Sequence, residues 1–377
     1  MSSLDTRLDA LRGSAPSLTH NARTVAALTA NPGCARRAVM DAAGVDKTEV
    51  AAQVGFPSRF GQSPFALARG VAFEAQVKAN GCAELLRLLR EELGLSIPEV
   101  AYIPLDAVGD NSGPSMRHRR TRAELLRAAG DGDELRTLFD HPMLTMRAGG
   151  HTVYLEPDLV AFQLGGRFHV IEIKSFAVID GQADGEKVAA ATTQAAVYIL
   201  ALRDLLAEAG LPAEAVSDDV ILVTPKDFSN EPVATLIDAR KQLGVLRRQL
   251  SRLTRIETLL DTLPPEVTFD LAPDPDGTFT RPPAELAAAV GSVDARYQPG
   301  CLSHCELSGF CRNEGRTAGS VDVLGPAVRD DLGGLESMAT ALALADGTRA
   351  PSADQADIAS ALRHAARLRA GLLGGVA

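Results

Sequence analysis

Tyr154-Leu-Glu-Pro-Asp158, Val170-Ile-Glu172-Ile-Lys174-Ser175 and Gln194-Ala-Ala-Val-Tyr198 follow one another between His151 and Tyr198, and their reading decides the fold. In the first half, apolar runs flank Gly165-Gly166, the pattern of two antiparallel strands joined by a tight turn. The second half, from about Lys187 to Glu208, reads as a helix. Glu172 and Lys174 are two apart on a strand, so their side chains leave the same face. Residues paired directly across an antiparallel ladder also project to one side, so register decides what else joins them. A two-residue turn at Gly165-Gly166 pairs Asp158 with Ile173 and sends the two carboxylates to opposite faces. A three-residue turn taking in Arg167, or a bulge near Pro157, pairs Asp158 with Lys174, and Asp158 then converges with Glu172. The second register is the one expected.

Two convergent carboxylates are hard oxygen ligands suited to Mg2+ or Mn2+, which neutralise a phosphodiester and acidify a bound water. A lysine beside them can hold or deprotonate that water. Pro157-Asp158, then Glu172-Ile-Lys174, resembles the signature of the PD-(D/E)XK nuclease superfamily. Gln194 and Tyr198, at i and i+4 on one helix face, resemble the Q-x-x-x-Y motif of its RecB-like branch. Upstream, Gly70 and Glu74 resemble the acidic form of the G-x-x-x-H/E element, whose last residue approaches the metals in that branch. The resemblance implies an α/β fold, a restriction-endonuclease-like mixed central sheet flanked by helices. It further implies metal ligands Glu74, Asp158, Glu172 and the Ile173 carbonyl. Lys174 would act on water, and Gln194 and Tyr198 would orient the phosphate or the strand backbone.

The chain has 377 residues, 46% of them hydrophobic, an ordinary globular composition that can bury a large core. The reading finds no apolar run of membrane-spanning length and no signal-peptide pattern, so the expected location is cytoplasmic, with no membrane partner. A net charge of -10 argues against a chain that coats nucleic acid nonspecifically. Local basic patches can still hold a phosphate backbone, and two are candidates for DNA contact: Arg117, Arg119, Arg120 and Arg122, and Arg247, Arg248, Arg252 and Arg255. Each is equally readable as a solvated helix face.

Taken in order, residues 1–55 read as a helical region, and residues 56–235 as the catalytic core with a strand over Leu95 to Pro104. A basic, partly helical insertion at 105–150 reads as a lid or strand guide, and Asp219 to Pro225 as a further strand. Residues 236–295 read as a long helix over about Ile237 to Leu263 followed by a Pro-rich linker. Residues 296–316 carry Cys301, Cys305 and Cys311, and residues 317–377 form a helical tail. Three clustered cysteines in a cytosolic chain point to a metal centre, and Cys34 would complete a four-thiolate set.

One N-terminal cysteine with a C-terminal trio resembles the iron-sulfur staple of certain RecB-like nucleases, namely helicase-nuclease exonuclease subunits and the nuclease of CRISPR spacer acquisition. The resemblance implies a [4Fe-4S] cluster on Cys34, Cys301, Cys305 and Cys311 that joins the N- and C-terminal helical regions. Zinc on four thiolates, or on three with His304, is the rival. Three residues separate Cys301 from Cys305 where those families usually have two. By the loop-entropy model, such a staple would stabilise by at most about 5 to 6 kcal/mol. Cys82 reads as a buried apolar residue. The function implied is a metal-dependent DNA nuclease, an exonuclease on single-stranded ends, in repair, CRISPR adaptation or phage defence. No phosphate-binding G-x-x-x-x-G-K-[ST] loop is present, so a helicase or ATPase partner would supply any unwinding. The alternatives are a catalytically idle DNA-binding or scaffolding subunit, and zinc-dependent structural binding.

Overall fold

The computed structural model describes residues 3–18, 21–58, 64–91, 100–109, 113–130, 136–148, 151–164, 167–227, 229–253 and 255–374. Four short helices open the chain: α1 (Ser3–Arg12), α2 (Ala22–Ala30), α3 (Ala35–Ala42) and α4 (Lys47–Gln53). Local chemistry starts two of them. Asn21 and Thr24 form a capping box on α2, and the Asp46 carboxylate accepts from Thr48 N and Glu49 N at the head of α4. Next comes α5 (Pro64–Glu91), interrupted at Ala79–Cys82, where Asn80, Gly81 and Cys82 adopt left-handed backbone angles.

The middle of the chain supplies β1 (Val100–Pro104), α6 (Pro114–Gly130), β2 (Arg136–Asp140), β3 (Leu144–Ala148), β4 (His151–Leu155), β5 (Leu159–Leu164) and β6 (Arg167–Ile173). A small ribbon, β7 (Val178–Ile179) and β8 (Gln182–Ala183), leads into α7 (Gly185–Ala207), which Asp184 caps through Glu186 N and Lys187 N. Then follow β9 (Asp219–Pro225), β10 (Pro232–Asp238), α8 (Arg240–Leu250), α9 (Ile256–Asp261), α10 (Pro283–Gly291), α11 (Ser308–Thr317), α12 (Pro326–Asp331), α13 (Met338–Asp346) and α14 (Ala356–Gly374).

Six strands form one mixed sheet in the order β1-β2-β5-β6-β9-β10, while β3 pairs with β4 as a separate ribbon. Strand alternation sorts the sheet into two cores. Phe139, Val160, Phe168, Val170 and Val220 pack with α7, α6, α2 and α8. Leu138, Leu159, Ile171, Ile173, Ile221 and Val223 pack instead with Phe73, Val77, Leu85, Leu88 and Leu89 of α5. The result is a helix-sheet-helix sandwich, and central β6 is buried on both faces. A third core joins α1, α3 and α4 to the segment from Ile256 to Cys311, and a fourth lies within the C-terminal helices.

Several expectations need correction. The segment 105–150 is not a lid: its β2 lies inside the sheet, parallel to β1 and antiparallel to β5. Leu138 and Phe139 fill opposite cores, and so short a strand between polar stretches leaves little periodicity to read. The long helix over Ile237 to Leu263 is instead strand, helix, break and helix. Ile237 belongs to β10, which pairs with β9 along its whole length, and residues after Leu250 turn before α9. The Pro-rich stretch is docked, with Phe269 and Leu271 buried and Phe269 N donating to Leu11 O at 2.7 Å. The Gly165-Gly166 turn and the first half of the expected Leu95 strand lie outside the described residues.

The predicted register also changes. β5 and β6 pair Leu159 with Ile171 and Val160 with Val170, but Leu164 with Arg167, with a shift between Ala161 and Leu164. That irregularity within β5, rather than a longer turn, resets the ladder. Continued one step, it sets Asp158 level with Glu172, not with Lys174. The convergence expected of the carboxylates therefore arises by a different pairing.

Candidate functional site

Glu172 sits near the C-terminal end of β6, fully buried, and Lys174 forms an ion pair with its Oε1. No donor meets Glu172 Oε2 among the described residues. Burial pushes the Glu172 carboxyl up to about 8, the nearby Asp158 charge adds to the rise, and Lys174 opposes it. Asp158 is half-buried, and its Oδ2 accepts from Ile173 N at 2.7 Å. Ile173 thus meets Asp158 through its N–H. Burial likewise raises the Asp158 carboxyl, against the pull of Lys174.

Glu74 reaches the same end of the sheet from α5, but paired. Its Oε1 lies 2.5 Å from Lys78 Nζ and 3.4 Å from His141 Nε2. Lys78, His141, Asp140, Glu156 and Tyr102 carry no motif that would single them out in the sequence. Apart from the neighbours Asp140 and His141 they come from separate segments, and no spacing links those. Lys78 Nζ also contacts Asp140 Oδ1 at 2.7 Å, and Tyr102 donates to the other Asp140 oxygen. His141 adopts a left-handed backbone (φ 48°), uncommon for a side-chain-bearing residue, with its Nδ1 3.3 Å from Glu156 Oε1. The Glu156 carboxylate holds the His141 ring above its usual value. Burial alone would raise Glu156, but His141 and Arg117 draw it down to about 2.

Gln194 and Tyr198 share a face of α7 as expected, and they engage protein groups. Gln194 Nε2 donates to Tyr198 Oη at 3.2 Å, and Tyr198 Oη donates to the Glu156 carbonyl at 3.0 Å. The pair therefore ties α7 to the Glu156-Pro157-Asp158 turn. Of the first basic patch, Arg117 is buried: its guanidinium bonds Glu156 at 2.6 and 3.3 Å and the Leu105 and His141 carbonyls at 2.9 Å. It is a structural hub and not a DNA-facing residue. Arg120 and Arg122 are half-buried and Arg119 is exposed, whereas Arg247, Arg248, Arg252 and Arg255 are all exposed.

Cys34, Cys301, Cys305 and Cys311 are all buried and line one small cavity, with Asn31, Arg37 and His304 beside them. Cys34 stands at the head of α3 and Cys311 on α11, so the N-terminal helices meet the segment from Cys301 to Cys311 there. Arg36 Nη1 lies 3.1 Å from Cys311 Sγ, and Asn31 Nδ2 lies 3.5 Å from Cys301 Sγ. Burial pushes the Cys305 thiol up to about 11 and the Cys311 thiol to about 12. Cys82 is buried as expected, inside the α5 break and remote from this cavity's lining.

As they stand, no three His, Cys, Asp or Glu side chains among the described residues form a ready set of metal ligands. The donors nevertheless suit metals. Glu172 Oε2 is a buried acceptor with no donor, beside a second hard carboxylate on the same sheet face. Four thiols around one cavity are soft donors, suited to iron-sulfur or zinc. No helix among the described residues is long and apolar enough to cross a membrane.

No protein-family model and no curated protein matches the chain. Among solved structures, a provisionally named exonuclease from Eubacterium rectale aligns at 14% identity with a TM-score of 0.28, covering 77% of this chain and 91% of its own. The protein SSO0001 aligns at 13% identity with a TM-score of 0.19, covering 45% of this chain and 84% of its own.

Proposed function

We propose that this chain is a metal-dependent deoxyribonuclease of the PD-(D/E)XK type, RecB-like branch, acting as an exonuclease on single-stranded ends. The observation that carries the reading is the β5–β6 register, which sets Asp158 and Glu172 on one sheet face with Lys174 paired to Glu172. Asp158 and Glu172 would hold a Mg2+ or Mn2+ ion, with Glu74 and the Ile173 carbonyl as further candidates. When bound, the ion would neutralise the phosphodiester and acidify an attacking water. Lys174 would position that water and share its proton. Gln194 and Tyr198 would fix the Asp158 turn, a positioning role in place of direct phosphate contact. The exposed arginines Arg247, Arg248, Arg252 and Arg255 would grip the DNA backbone, with Arg119 as a further contact.

Cys34, Cys301, Cys305 and Cys311 would hold a structural [4Fe-4S] cluster, with zinc as the rival. A helicase or a defence complex is the expected partner class, and a cytoplasmic setting in repair, CRISPR adaptation or phage defence fits this chemistry. A second reading, an idle DNA-binding or scaffolding subunit, draws on the pairing of Glu74 with Lys78. The test is digestion of single-stranded and duplex DNA with Mg2+ or Mn2+ by wild type and Lys174→Ala. Metal-dependent digestion that the variant loses supports the nuclease; DNA binding without digestion in wild type favours the idle subunit.

A further inference from the structure

Lys78 has no part in that chemistry, yet its ammonium lies at the centre of the site. The side chain is only 10% exposed. Its Nζ lies 2.5 Å from Glu74 Oε1, 2.7 Å from Asp140 Oδ1, 3.0 Å from His141 Nε2 and 3.1 Å from the Asp158 carbonyl oxygen. An ammonium has three hydrogens to give, and here three oxygen acceptors and the His141 imidazole crowd it. Two carboxylates, a carbonyl and an imidazole are the shell that a bound metal ion would take. Lys78 also lies beside a break in α5. Immediately after it, Ala79–Cys82 leave the helical conformation, and Asn80 and Cys82 take left-handed angles that such residues seldom adopt.

Four carboxylates gather here, Glu74, Asp140, Asp158 and Glu172, with two ammonium groups, Lys78 and Lys174, and the His141 imidazole. Their polar contacts are not shared evenly. Lys78 bonds Glu74 and Asp140, and Tyr102 holds the second Asp140 oxygen, whereas Glu172 Oε2 meets no donor.

We propose that Lys78 is a tethered cation standing where a second divalent ion would otherwise sit, so that the site loads one ion, on Asp158 and Glu172. Glu74 stays with Lys78 instead of ligating metal. The inference rests on the metal-site reading above and deepens it. The second positive charge comes from the protein itself and needs no dehydration on loading.

The experiment counts Mn2+ ions bound by the full-length protein, using calorimetric titration and electron paramagnetic resonance, in wild type, Lys78→Met, Glu74→Gln and Asp158→Ala. One ion is expected in wild type with the spectrum of isolated Mn2+. Lys78→Met should bind two ions with a spin-coupled spectrum, Glu74→Gln still one, and Asp158→Ala none. Two ions in wild type, loss of the ion in Glu74→Gln, or a single ion in folded Lys78→Met overturns the inference while leaving the metal site intact. If Lys78→Met fails to fold, the wild-type and Glu74→Gln counts decide by themselves. No ion in wild type refutes the metal site, and this inference with it.

Discussion

Asp41 should be among the costliest single side chains to remove from the N-terminal region. On α3 its carboxylate lies between two buried cations, 3.0 Å from Arg37 Nε and 2.6 Å from Lys47 Nζ, and all three side chains are at most 8% exposed. Arg37 also donates to the His304 carbonyl at 2.7 Å, so the triad clamps α3 and α4 onto the cysteine segment. In Asp41→Ala the two buried positive charges would keep, as their ion-pair partner among the described residues, Glu306 at 4.0 Å from Lys47. Breaking a buried pair costs about 3–5 kcal/mol, a large share of a typical stability of about 5–15 kcal/mol. Urea unfolding of Asp41→Ala against wild type, followed by circular dichroism, measures it. Replacing all three residues together, Arg37→Met, Asp41→Leu and Lys47→Met, should recover most of the loss, because no charge is left stranded. A cost under about 1 kcal/mol, the range of surface ion pairs, would refute the reasoning. The pH dependence has a definite sign. Burial pulls Lys47 down, but Asp41 outweighs it and holds the ammonium above its ordinary 10.5. A raised lysine contributes stability that is fully present below its unfolded value and lost as pH rises through the folded one. The cost of Asp41→Ala should therefore stay level from neutral pH to about 10 and shrink above it.

Other consequences are open to measurement. Tyr198→Phe removes the bond to the Glu156 carbonyl and should cost about 1 kcal/mol on thermal unfolding, with a fall in nuclease rate through a displaced Asp158 turn. An unchanged rate would leave Tyr198 a packing residue only. Arg247, Arg248 and Arg252 replaced together by Ala should flatten the salt dependence of DNA binding, by about 0.7 in slope for every single-strand phosphate they neutralise. An unchanged slope would place the DNA elsewhere. Anaerobically purified protein should be brown, and chelation of its iron or Cys301→Ser should lower stability by no more than the roughly 5 to 6 kcal/mol of the loop-closure limit. Colourless protein containing one zinc would reverse the choice of metal.

What the sequence reveals divides by range. The strand from Asp219 to Pro225 is legible because it is a buried apolar run, and the helix carrying Gln194 and Tyr198 because it is long and capped by Asp184. The β2 strand is not, since Thr137 to Asp140 are buried in succession and carry no alternation that separates them from other short stretches. The register expected from the sequence is wrong: Asp158 comes level with Glu172 and not with Lys174. Nothing in Leu159–Leu164 announces an irregularity, yet it moves Asp158 by one residue, from Ile173, where the Leu164–Arg167 pairing would set it, to Glu172. At the site, the ordered motif residues can be named from spacing. Lys78, Asp140, His141 and Arg117 cannot, because only the folding of α5, β2 and α6 onto the Glu156-Pro157-Asp158 turn brings them together. Arg117 shows the opposite limit: a basic cluster in sequence does not say which arginine turns inward.

On the proposed function, Asp158 and Glu172 form the metal site of a nuclease. Its most direct test is degradation of end-labelled single-stranded DNA by anaerobically purified protein with Mn2+, wild type and Asp158→Ala side by side. Wild type should release label in a reaction that needs Mn2+ and is absent from the variant, while both proteins unfold at similar temperatures. Equal release by the two proteins, or none from wild type even with Mn2+ bound, would contradict it.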